Sequence, residues 1–119
     1  MEKSELLRAK LDLPDGTLLE ELGAHLSRTE GLDLRKIDPA ELRNKAQQWL
    51  ALNTRRIMRE ICAKWKLAER ANDARYSDAL FLASQIADVV AGLHSHIPAY
   101  TVSALLAKIG ISELCRGAA

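Results

Sequence analysis

Residues 38–71 read DPAELRNKAQQWLALNTRRIMREICAKWKLAERA, and the fold turns on them. The stretch opens with Asp38-Pro39-Ala40-Glu41. Asp38 can accept a hydrogen bond from a free amide of the first turn. Pro39 stands at the first helical position, where its missing N–H costs nothing, and Glu41 holds the capping-box position. Neither Gly nor Pro follows until Gly92. The spacing predicts one helix from 39 to about 71, roughly 50 Å long at 1.5 Å per residue. Asn53-Thr54 is its soft spot. Thr54 could cap a second helix, which would divide the rod into 39–52 and 54–71, but the continuous helix is the preferred expectation.

Towards the N-terminus, Leu6, Leu7 and Leu11 form a short helix from Ser4 to about residue 11, ended by Pro14. Asp15-Gly16-Thr17 then starts a second helix, whose stripe is Leu18, Leu19, Leu22 and Leu26 and which runs to about Arg28. Residues 29–37, with Gly31, Leu32 and Leu34, read as a loop. Towards the C-terminus, Asn72-Asp73-Ala74-Arg75 is a break, and Ser77 or Asp78 can cap a helix over about 78–94. Its Leu80, Leu82, Ile86, Val89, Val90 and Leu93 reach most of the way round the wheel, as in a helix covered on several sides. After a His94-Ser95-His96-Ile97 connector, Pro98 opens a helix over 99–109, with Gly110 as its C′ residue. Residues 111–116 add one further turn.

No segment alternates like a strand. The expected fold is all-α: a single-domain helical bundle of about five helices around one long central helix. Residues 1–37 supply short acidic helices and a loop, 38–75 the long basic helix, and 76–119 an apolar helical pair.

In 119 residues, apolar side chains make up 48% and aromatics only 4%, so the core must be Leu, Ile, Val and Ala. That balance excludes collagen, a disulfide scaffold and a disordered tail. The two cysteines, Cys62 and Cys115, read as small apolar residues without chemistry, which points to a reducing compartment. The first residues carry no apolar run behind a basic segment, unlike a signal peptide. The most apolar stretch, 80–93, contains Gln85 and Asp88 and is too short for a bilayer, which needs about 20 residues. A cytoplasmic protein with no membrane partner is the expectation.

The net charge of +1 conceals a sorted chain. Residues 1–42 hold ten acids and six bases, 43–75 hold nine bases and three acids, and 76–119 hold two bases and three acids. At about 100° per residue, Arg55, Arg59, Lys66 and Arg70 share one side of the rod, opposite Leu42, Ala46, Trp49, Ile57, Ile61 and Ala68. Trp49 and Trp65 point roughly 160° apart on a continuous helix. From 80 to 115 only Asp88, Lys108 and Glu113 are charged. Such a segment is either core alone or core with a partner interface, for which Tyr100, Leu105, Leu106 and Ile109 are the candidates.

Catalytic and metal constellations are poor. His94 and His96, with His25 as a third ligand, lack the fourth group a closed zinc site needs, so His94 reads as a helix C-cap. Ser84, His94 and Asp88 come without a nucleophile elbow or an oxyanion loop. Arg59 and Lys66, at i−3 and i+4, could stabilise a Cys62 thiolate. The six glycines are scattered, with no phosphate loop. No enzyme activity, cofactor or metal is expected. The expected function is a protein–protein interaction module, self-associating or docking as a small adaptor or assembly subunit. The alternative is a nucleic-acid-binding helical protein using the basic helix. The loop 29–37 is too long for a helix-turn-helix, and a pI near 7.8 is less basic than that task usually needs.

Overall fold

The computed structural model describes residues 2–70 and 74–116, without the side chains of 67–70. Six α-helices follow one another: α1 (Lys3–Leu11), α2 (Asp15–Thr29), α3 (Pro39–Arg70), α4 (Ala79–Leu93), α5 (Ala99–Ile109) and α6 (Ile111–Cys115). Single 3-10 turns occupy Leu34–Lys36 and Ala74–Ser77. There is no strand among the described residues. The fold is all-α.

The rod is unbroken. Asp38 Oδ1 accepts the Ala40 N–H at 2.9 Å, the side-chain cap that the sequence implied. At the soft spot, Asn53 Nδ2 donates to the Trp49 carbonyl at 2.8 Å, so the amide folds back onto the preceding turn and Thr54 starts nothing new. At 32 residues α3 is about 48 Å long, which matches the 50 Å long axis of the molecule. The break at Asn72-Asp73 and the side chains of Ala68 and Arg70 lie outside the described residues.

The segment 29–37 is more ordered than a plain loop. Leu32 N–H bonds the Ser27 carbonyl and Gly31 N–H bonds the Arg28 carbonyl, both at 3.0 Å. With Gly31 at φ +78°, this is a Schellman end to α2. Asp33 then caps the 3-10 turn by accepting the Arg35 N–H at 3.0 Å. The Arg35 guanidinium beside it, followed by that backbone bond, holds the Asp33 carboxyl below its usual range. At α4 the cap is Asp78, which accepts the Leu80 N–H at 2.9 Å. Ser77 instead donates to the Ala74 carbonyl. Gly110, expected at a left-handed C′ position, has φ +94° and ψ 145°, outside that well; it ends α5 and precedes α6 in one residue.

The core draws on every helix: Leu7, Leu22, Ile57, Ile61, Ile86, Val90, Val102, Leu106 and Ile111 belong to one buried cluster. Enclosure on all sides belongs to α5 rather than α4. Residues 101–107 are buried without interruption, whereas α4 leaves Asp88, Ala91 and Gly92 exposed. Both are covered on several sides, α5 by α1, α2, α4 and α6 and α4 by α1, α3 and α5, but the covers of α5 leave no gap over 101–107. Trp49 and Trp65, on different sides of the rod, are both half-buried against the core. Where α2 crosses α3, Gly23 allows backbone contact: a Cβ there would lie 1.9 Å from the Leu42 carbonyl oxygen.

Cys62 and Cys115 form a disulfide, Cα–Cα 5.5 Å, that ties α3 to α6. The expectation of two inert thiols is therefore wrong. Fifty-two residues separate them in sequence, but the return of the chain through α4 and α5 brings α6 back against the rod. The ground for expecting a reducing compartment, and so for a cytoplasmic setting, goes with it.

Candidate interaction surface

The solvent side of α3 is built by default. Its inner residues Ala46, Ile57, Met58, Ile61 and Cys62 are buried, so at 100° per residue the opposite line carries Gln48, Leu52, Arg55, Arg56, Arg59, Ala63 and Lys66. All seven are exposed. Leu52 is 82% exposed, more than any other large apolar side chain among the described residues. Arg56 falls on the same line but was not one of the expected stripe residues. Counting from the centre at Leu52 rather than from Arg55 would have found it.

The charges on this line are not neutralised from within. The acids of α2 are engaged elsewhere: Glu20 with Arg43 at 2.8 Å, Glu21 with Lys10 at 2.8 Å. Glu30, just beyond it, pairs with Lys45 at 2.7 Å. Asp15 takes Lys108 at 3.2 Å, and Asp88 takes Lys3 at 2.6 Å. No ion pair among the described residues involves Arg55, Arg56, Arg59 or Lys66. The acidic leader thus neutralises the N-terminal third of α3 and stops short of the arginines. Of the four expected stripe residues, Arg55, Arg59 and Lys66 stand together in the open, while the Arg70 side chain lies outside the described residues.

The expected apolar interface is not assembled. Leu105 is buried against Leu18 of α2, and Leu106 is in the main core. Tyr100 is half-buried, which leaves Ile109, 53% exposed, isolated at the end of α5. A lone exposed apolar residue is ordinary. The acidic N-terminal helices supply the cover that the apolar C-terminal segment needs.

The His94 ring sits edge-on to Trp49, centroids 5.2 Å apart, with its Nε2 buried and without a hydrogen-bond partner among the described residues. Only its backbone N–H closes α4, on the Val90 carbonyl, so the imidazole does not cap the helix. His25 Nε2 donates to the His96 carbonyl. Asp88 faces Lys3 and leaves Ser84, His94 and Asp88 unconnected. Among the described residues no group of three or more His, Cys, Asp or Glu could hold a metal ion, and no helix is long and apolar enough to cross a membrane. A depression of about 340 Å³ between α3 and α4 is lined by Glu60, Lys64, Asp88, Val89, Gly92 and Leu93, with neither His94 nor Cys62 among them. No family model matches the chain, and neither does any curated protein or solved structure.

Proposed function

We propose that the protein is a non-catalytic protein-interaction module that lays the outer face of α3 against an acidic, partly apolar segment of a partner protein. One observation supports this most: Leu52 stands 82% exposed in line with three arginines that none of the chain's own described acids neutralises. An apolar anchor followed by arginines at i+3, i+4 and i+7 has the composition of a protein interface, where Arg is enriched and a few side chains supply most of the affinity. The face is small, so the contact belongs to the transient class rather than to obligate dimers.

The second reading is nucleic-acid binding through the same cations, favoured by their one-sided array and disfavoured by Leu52 standing exposed one turn before them. Fluorescence anisotropy separates the two. The probes are an acidic amphipathic peptide, with Glu and Leu at helical spacing, and a DNA duplex, each at about 50 and about 200 mM salt. The peptide should bind, losing about tenfold in affinity with Leu52→Ala and more with Arg55→Glu/Arg59→Glu, while the helical circular dichroism stays intact. Duplex binding through the four cations would instead fall about a hundredfold across that salt range and be indifferent to Leu52→Ala. Peptide binding unchanged by the double reversal would remove this face from the proposal.

A further inference from the structure

α6 is five residues long, far below the length at which a helix holds itself together. It follows α5 across a single residue, Gly110, whose φ of +94° suits a hinge that other residues rarely adopt. Its hold on the molecule consists of Ile111, the partly buried Leu114, and the Cys62–Cys115 bond. The two sulfurs differ in surroundings. Cys62 is 2% exposed, in the middle of α3, with Arg59 at i−3 and Lys66 at i+4 as its neighbours on the helix surface. Cys115 is 8% exposed, in the last turn of α6.

We infer that this disulfide is a site of thiol–disulfide exchange, opened by a small dithiol reductant, that decides whether α6 lies against α3. A thiolate of the dithiol attacks Cys115 Sγ, on the less deeply buried of the two cysteines, and forms a mixed disulfide. The Cys62–Cys115 bond breaks, and its electron pair leaves on Cys62 Sγ as a thiolate, which the Arg59 and Lys66 cations favour. The second thiol of the reductant attacks the mixed disulfide, closes the reductant's own disulfide and releases Cys115; both cysteines end as thiols. Two electrons and two protons pass from the dithiol to the protein. Without the covalent link, α6 swings about Gly110 and uncovers the flank of α3 around Cys62.

Hydrogen exchange of the intact chain, oxidised and after dithiothreitol, tests it. Exchange at the Leu114 amide, which bonds the Gly110 carbonyl at 3.1 Å, and at that of Cys115 should speed by about a hundredfold or more on reduction, while protection in α2, α4 and α5 persists and reoxidation restores α6. Unchanged protection at these two amides, or loss of protection throughout the molecule, would make the bond a plain structural staple and overturn the inference. A second measurement reads the leaving group: Arg59→Gln/Lys66→Gln should slow cleavage by dithiothreitol several-fold in the folded oxidised protein, and an equal rate would count against the assigned direction of attack.

Discussion

Gly23 is where a single atom decides a contact. Its missing Cβ lets the backbone of α2 approach that of α3, and the group in the way would be the Leu42 carbonyl, not a side chain that could turn aside. Gly23→Ala should therefore force the two helices apart and cost about 1–3 kcal/mol, read as a lower urea midpoint at unchanged slope. Nothing in the sequence marked this glycine, because its neighbour across the crossing is 19 positions away. Arg56 makes the opposite case. Its exposure was available from helical arithmetic alone, and Arg56→Glu should weaken acidic-peptide binding as much as Arg55→Glu, measured by the same anisotropy titration.

Among the elements, the helix starts were legible and their covers were not. Asp38 and Asp78 cap α3 and α4 through bonds to the amide two residues on, as the residue types imply. Asp78→Ala should cost about 1 kcal/mol by thermal unfolding, whereas Ser77→Ala, one residue earlier and bonded to Ala74 instead, should cost less. By contrast, α4 looked enclosed because it is apolar around most of its circumference, yet α5 is the more deeply buried helix. Hydrophobicity reports what a helix tolerates; which of its faces the neighbours cover decides what it receives. The same distinction separates Leu105 and Leu106, whose apolar character fits an interface or a core equally well until Leu18 is seen against one of them.

For the whole molecule, the disulfide joins the rod to the last helix across a sequence separation of 53. Reducing it should lower the unfolding free energy by up to about 4 kcal/mol on loop entropy, less whatever the native state regains by freeing α6. Urea unfolding with and without dithiothreitol measures the difference, a sizeable part of the about 5–15 kcal/mol typical of a domain. Charge at this scale is decided by pairing. The sequence shows an acidic leader beside a basic rod, and only the fold shows that the leader's carboxylates meet Arg43 and Lys45 and never reach Arg55. By itself the sequence determined the helical class and the capped start of the rod, since these depend on residues within four positions of one another, while it left open a break at Thr54 that the structure closes. Tertiary structure alone decided the cysteine pairing, the burial of α5 and the bare arginines, because each depends on which distant segments come to lie side by side.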